Sequence, residues 1–145
     1  MLSAMDVARY FLALASEEDG ELISNMKLQK LVYYAQGFSL ALRDEPLFAE
    51  PIKAWTHGPV VPSLYHEYKQ FEGGPVILDG EINWNLYSPE ARELLDEVYQ
   101  VYGQYSASGL RALTHSELPW SETPSGEEIP RSAMKEFFKT QILDG

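Results

Sequence analysis

The chain has 145 residues, of which 45% are hydrophobic and 23% charged, and this composition excludes an intrinsically disordered protein. We expect a single domain over residues 1–145, because two separate cores in this length would each be marginal. The formal net charge of −11 repels phosphate backbones, so we expect no direct binding of nucleic acid. The charge either attracts a protein partner with a basic surface or serves only solubility.

Cysteine is absent, which excludes disulfides, cysteine-based zinc sites and a thiolate nucleophile in this sequence. The first residues lack the basic and apolar segments of a signal peptide, and no apolar run approaches the length that spans a bilayer. We therefore expect a cytoplasmic protein without membrane attachment.

Two helices are predicted in the first third of the chain. Ser3 is a typical N-cap for the first, which carries apolar residues at helical spacing and is predicted to break within 16–20. The second is predicted over 25–42 with Ser24 or Asn25 as its cap. Its apolar stripe is the strongest periodic signal of the sequence and predicts the central helix of the core; it consists of Leu28, Leu31, Ala35, Phe38 and Leu42.

The middle of the chain is less regular. Prolines and glycines argue against helix over 43–60, and the alternation within 52–57 indicates a short strand. A third helix is predicted from Val61 or Pro62 to the glycine pair at 73–74. Residues 75–87 are compatible either with a second short strand or with a hairpin that turns at 79–80.

Three further helices are predicted in the last third. Ser88 caps one that ends at Gly103, Ser106 or Ser108 starts a shorter one, and Pro130 opens the last. Their inward faces are predicted to include Val98, Val101, Leu110, Leu113, Met134, Phe137, Phe138 and Ile142. The fold class is therefore mainly α, with about six helices around the helix at 25–42 and a small two-stranded β element from 52–57 and 75–87.

No motif for catalysis or metal binding is present. The three histidines do not form an HExxH pair, and the sequence has no nucleophile elbow and no glycine-rich phosphate loop. We expect no metal, no cofactor and no catalytic residue. A small enzyme that uses His57 or His115 with carboxylates brought together by the fold remains the alternative.

Two segments are candidates for partner binding. Lys27, Lys30 and Tyr34 fall at helical spacing beside the apolar stripe, where they either receive an acidic peptide or pair with carboxylates of the same chain. In the segment 55–65, Trp55 and His57 are predicted on one side of an extended stretch before the stiff turn at Gly58-Pro59.

Three strings of the sequence resemble the Panacea-domain family, which comprises SocA-like antitoxins and "phage-associated" proteins of bacteria and their mobile elements. They are KLQKLVYYAQGFSLAL, PLFAEPIKAWTHGPVVPSLYHEYKQF and THSELPWSE followed by IPRSAMKEFF, and together they cover about residues 5–140. The resemblance implies a mostly helical antitoxin that neutralises a toxin, encoded beside it, by direct binding. One related member delivers its toxin to an AAA+ protease, so a proteolytic adaptor is a second implied function.

The resemblance assigns no catalytic role to the family motif positions, which either build the fold or bind the partner. Those present here include Leu28, Leu31, Tyr33, Gln36, Gly37, His115, Pro119 and Trp120. We expect the toxin to dock near the second helix and the following turn, on Lys27, Lys30, Tyr34, Trp55, His57, Gly58, Pro59 and Tyr65.

Overall fold

The computed structural model describes residues 1–16 and 22–142, and the predicted break after the first helix falls mostly outside these residues. Within them the chain forms seven α-helices and one two-stranded sheet, so the prediction of a mainly α fold is confirmed. In chain order the elements are α1 (Ala4–Leu14), α2 (Asn25–Arg43), β1 (Lys53–Trp55), β2 (Gly58–Val60), α3 (Pro62–Tyr68), α4 (Pro89–Tyr102), α5 (Ala107–His115), α6 (Leu118–Ser121) and α7 (Arg131–Gln141).

Serine caps set the start of four helices, as local sequence predicts. The hydroxyls of Ser3, Ser24, Ser88 and Ser106 each accept a hydrogen bond from a first-turn backbone N–H, which satisfies a donor that the helix itself leaves unpaired. The predicted N-terminal caps are therefore confirmed for α1, α2, α4 and α5.

Helix α2 is the centre of the fold, and it contacts α1, α3, α4, α5, α7 and β2. Because neighbours surround it, both its apolar and its polar residues are buried over most of its length. The predicted stripe is wrong at its end, since Leu42 is 52% exposed in the last turn of the helix. Val101, near the end of α4, is likewise 50% exposed and not inward.

The predicted strand within 52–57 is confirmed as β1, but its partner is not 75–87. β1 pairs antiparallel with β2, with Lys53 opposite Val60 and Trp55 opposite Gly58, so the turn is Thr56–His57 and not Gly58-Pro59. The segment 75–87 is not a strand: Val76 donates a backbone hydrogen bond to Ile23, and residues Trp84–Leu86 form a 3-10 turn. The backbone of 75–87 contacts other segments of the protein, and residues 79–80 do not form a hairpin turn.

The loop before α7 extends the small sheet on its other side. The Ala54 N–H donates to Glu127 O at 2.9 Å, and the Ile129 N–H donates to Ile52 O at 2.8 Å. The same loop contains the short α6, which the sequence did not predict. None of the helices in the described ranges combines the length and apolar character needed to cross a membrane.

Candidate functional site

The strip predicted on α2 is not a surface. Lys27 is 6% exposed, Lys30 1% and Tyr34 0%, because α4, α5 and α7 pack against the face on which all three lie. Of the two alternatives, an open strip that receives an acidic peptide does not fit this burial, whereas Tyr34 pairs with a carboxylate of the same chain, that of Glu117. Their environments differ, and Lys30 borders an open cleft.

Lys27 is held inside the fold. Its Nζ donates a hydrogen bond of 2.6 Å to the carbonyl of Gly103, the residue that caps the end of α4. A lysine ammonium near a helix C-terminus is stabilised by the partial negative charge of the last carbonyls. Lys27 thus joins the start of α2 to the end of α4.

Tyr34 belongs to a buried polar cluster, the Glu117 cluster, which consists of Tyr33, Tyr34 and Glu117. The Tyr34 hydroxyl donates to Glu117 Oε2 at 2.9 Å, and the Tyr33 hydroxyl donates to Oε1 at 3.4 Å. Burial raises the pKa of Glu117 to about 7, although the two hydroxyl hydrogen bonds oppose this shift. Burial and the nearby carboxylate raise the pKa of both tyrosines.

Gln36 and Gly37 have structural roles that their contacts explain. The Gln36 side chain accepts from the Leu47 N–H at 2.8 Å and donates to Phe48 O at 3.0 Å, so it holds the loop after α2. A Cβ atom on Gly37 would lie 2.1 Å from the ring of Phe138, and this close approach brings α7 onto α2. Leu28 and Leu31, the motif leucines, are fully buried in the apolar core.

Gly58 places the β hairpin directly on Lys30. Its φ of +123° is one that residues with a Cβ rarely adopt, and a Cβ there would lie 2.8 Å from Lys30 Cε and 3.1 Å from Thr114 Oγ1. Pro59 follows within the buried strand β2. These two motif residues therefore set how closely the hairpin covers the Lys30 side chain.

His115, Pro119 and Trp120 are the last of the motif residues along the chain, and they support the same hairpin. The rings of His115 and Trp120 stack at 3.9 Å with an angle of 4° between their planes, and Trp120 Nε1 donates to Trp55 O at 2.8 Å. Pro119 is buried at the start of α6. His115 Nε2 is buried and has no hydrogen-bond partner among the described residues.

Lys30, Trp55, His57 and Tyr65 come together at a cleft of about 480 Å³, which we call the Lys30 cleft. The Trp55 and Tyr65 rings meet edge to face at 5.1 Å, with His66 6.4 Å from Trp55. Sequence reasoning missed the remaining lining residues, which are Ser24, Asn25, Met26, Gln29, Val60, Lys69, Glu72, Gly73 and Ala107.

Gln29 is a missed residue without a sequence signal, because on the predicted helix it falls on the side away from the apolar stripe. Its Oε1 accepts from the Val61 N–H at 2.9 Å, and its Nε2 donates to Asn25 Oδ1 at 2.9 Å. It therefore fixes the residue that leads from β2 into α3, and with it one wall of the Lys30 cleft.

The cleft is locally cationic although the protein as a whole is acidic. Burial, followed by the charge of Arg111, lowers the pKa of Lys30 to about 8. Burial and the charges of Arg111 and Lys30 lower the pKa of His115, against a backbone hydrogen bond with Thr56 that raises it. Within residues 1–16 and 22–142, the structure gives the Lys30 ammonium neither a hydrogen bond nor an ion pair.

Among the described residues, no histidine is paired with an acid. Within the described ranges, the hydrogen bonds to the Glu117 carboxylate come from tyrosines and not from a histidine. No group of three or more potential metal ligands is found in the part of the protein that the structure describes. The site is a cleft lined by aromatic side chains and by a lysine that has no partner among the described residues.

Comparison with known proteins finds a family model and a relative that both name SocA-like antitoxins. The family model described as "Antitoxin SocA-like, Panacea domain" matches residues 28–121, which include most of the Lys30 cleft and the Glu117 cluster. "Antitoxin SocA" of Caulobacter vibrioides (strain NA1000 / CB15N) is 32% identical over 116 residues, which are 72% of this chain. The match spans 61% of that relative's length. No solved structure matches significantly.

Proposed function

Because the chain belongs to the family of SocA-like antitoxins with a Panacea domain, we propose that it is an antitoxin that neutralises a toxin by binding it directly. The observation that carries this proposal is the family match over residues 28–121. The toxin is the product of a neighbouring gene, and the complex forms in the cytoplasm. The antitoxin acts as a binding protein and not as a catalyst.

The Lys30 cleft and the β1–β2 hairpin are the proposed docking surface. Trp55 and Tyr65 are half-buried with their rings in edge-to-face contact, and exposed His57 lines the cleft beside them. Tyrosine and tryptophan are enriched among the residues that dominate binding energy, because they bury a large area at little cost in entropy. The protein's net charge of −11 speeds the approach of a toxin whose surface is basic.

Growth of cells that express the neighbouring gene tests the proposal. We expect growth arrest when that gene is induced alone, relief when this protein is co-expressed, and co-purification of the two proteins. A neighbouring product that leaves growth unchanged when induced alone would contradict the proposal.

A pair of charge-matched variants tests the surface. His57→Glu adds an acidic group at the mouth of the cleft, and Ser132→Glu adds one at the exposed start of α7. We expect His57→Glu to weaken toxin binding and Ser132→Glu to leave it unchanged. Equal effects of the two variants would show that the toxin docks elsewhere.

The half-life of the toxin separates two ways of neutralising it. Direct binding predicts that the toxin persists at least as long in the presence of this protein as in its absence. A half-life that falls only when both this protein and an AAA+ protease are present would replace direct neutralisation with delivery for proteolysis.

A further inference from the structure

Lys30 is an unusual residue for the interior of a protein. It is 1% exposed and lies between α2 and the hairpin, with Gly58 so close that a Cβ there would lie 3.3 Å from its Nζ. Buried lysines are normally paired with an acid or with several acceptors, because an isolated ammonium loses its hydration. The described residues provide no such partner for Lys30.

The polar groups around Lys30 are already committed to other contacts or are cations. Gln29 Oε1 accepts from the Val61 N–H, and the Thr114 hydroxyl donates to Arg111 O at 3.1 Å. Arg111 lowers the pKa of Lys30 by its charge, and Lys30, Arg111 and His57 do the same to His115. Lys30 and Arg111 therefore place two positive charges close together, and none of the described carboxylates forms an ion pair with Lys30.

The Lys30 cleft supplies access and further attraction for an anion. Lys30 lines it together with the apolar side chains of Met26, Trp55 and Val60, and its acidic lining residue, Glu72, is exposed. Ser24, Asn25 and Met26 bring the N-terminus of the 19-residue helix α2 to the same space. The positive end of a helix dipole favours an anion beside it.

We propose that the Lys30 cleft binds a carboxylate group of the toxin, with the Lys30 ammonium as its direct partner. This inference rests on the proposed function for the identity of the partner. The carboxylate enters between Trp55 and the start of α2, and the apolar walls hold the aliphatic part of the residue that carries it.

The overall charge of the protein explains why a carboxylate is favoured over a phosphate. A net charge of −11 opposes the approach of any anion, and it opposes a phosphate dianion more strongly than a monoanion. The same field selects a carboxylate whose neighbours on the toxin are basic or neutral, because a strongly acidic segment is repelled as a whole.

Small carboxylates test the cleft without the toxin. NMR of the lysine Cε and Nζ nuclei follows Lys30 while N-acetylglycine, a model of a polypeptide C-terminus, or N-acetylglutamate α-amide, a model of an acidic side chain, is added. We expect a saturable shift of Lys30 and a rise in its pKa with one of the two, which identifies the source of the carboxylate. N-acetylglutamine α-amide, the uncharged control, should give no shift.

Two results would contradict the proposal. If inorganic phosphate shifts the Lys30 signals and neither carboxylate does, the proposed ligand class is wrong. If no anion shifts them while the Lys30 signals remain observable, the cleft is not an anion site and the inference fails.

A second experiment measures binding of the toxin to Lys30→Met, with Lys139→Met as the control. Both substitutions remove one lysine, and Lys139 is exposed on α7. Loss of one charge-assisted contact is expected to weaken toxin binding roughly tenfold to a hundredfold in Lys30→Met only. If Lys30→Met binds and neutralises as the wild type does, the inference fails and the proposed function stands. If the wild type itself neither binds nor neutralises, the proposed function fails, and the titration with small carboxylates still reports on the cleft.

Discussion

Lys30 and Glu117 are two buried ionisable groups beside the same stretch of α2, and their surroundings are opposite. Glu117 accepts hydrogen bonds from Tyr33 and Tyr34, whereas Lys30 has no described partner and borders an open cleft. A buried polar group with all its partners inside the fold stabilises one arrangement of the polypeptide. A buried cation without a partner lowers stability, and Lys30 lies beside an open cleft. We therefore expect the Glu117 cluster to stabilise the fold, and we propose the Lys30 cleft as the site of recognition.

Glu117→Ala is expected to have the largest effect on stability. It leaves two buried tyrosine hydroxyls without their acceptor and opens a cavity between α2 and α6, which together cost about 4 kcal/mol. Urea denaturation at pH 5 measures this loss. Glu122→Ala, at an exposed position of the same region, should change the free energy of unfolding by less than about 0.5 kcal/mol. Equal stability of the two variants would remove the structural role of the Glu117 cluster.

Lys30→Met is expected to stabilise the protein. A pKa of about 8 in the folded protein, against 10.5 for an ordinary lysine, corresponds to about 3 kcal/mol of lost stability at pH 7. Between pH 8 and 10.5 the unfolded protein binds more protons at this residue than the folded protein, so the wild type gains stability as the pH rises. The advantage of Lys30→Met should therefore be largest at pH 7 and vanish above pH 10.5.

The comparison of Lys30→Met with the wild type at each pH cancels the contribution of the buried tyrosines, whose raised pKa values lower stability in strongly alkaline solution in both proteins. Lys139→Met is the matched control and should stay within about 0.5 kcal/mol of the wild type. A Lys30→Met protein that is less stable than the wild type at pH 7 would mean that Lys30 has a partner inside the fold.

The stability of the wild type relative to Glu117→Gln should fall between pH 4.5 and 7. Because the pKa of Glu117 is raised from 4.5 to about 7, the folded protein binds more protons than the unfolded protein in this window, and stability decreases by about 2.5 kcal/mol as the pH rises. The amide of Glu117→Gln does not titrate, so this part of the slope should be missing. Identical slopes for the two proteins would contradict a raised pKa of Glu117.

His57→Glu is expected to have the smallest effect on stability, less than about 0.5 kcal/mol, because the side chain is exposed in the turn between β1 and β2. Ser132→Glu should behave in the same way. Thermal denaturation of both variants establishes that any difference in toxin binding between them arises at the docking surface. A large loss of stability in His57→Glu alone would make its binding defect uninformative.

Local signals predicted most of the helices, since a serine cap, an early proline and apolar spacing act within a few residues. The partner of β1 could not be predicted in this way, because Thr56–His57 lacks the Asn-Gly type of signal that marks a two-residue hairpin turn. The short helix α6 lies in a segment rich in turn-forming residues, where its single turn has no periodic pattern to reveal it.

The burial of Lys30 was not predictable from spacing, because periodicity assigns a lysine to the solvent side of a helix. Only the packing of α2 within several helices and the hairpin places the side chain inside, and those contacts join residues far apart in the sequence. The candidate residues Trp55, His57 and Tyr65 were identified together because they lie within one short segment. Their neighbours Met26 and Ala107 come from other helices and carried no signal.

The most direct test of the central claim is calorimetric titration of the purified toxin with wild-type protein and with Lys30→Met. We expect Lys30→Met to unfold at a higher temperature than the wild type and yet to bind the toxin at least about tenfold more weakly. A Lys30→Met protein that binds the toxin as tightly as the wild type would contradict the role of the Lys30 cleft in recognition.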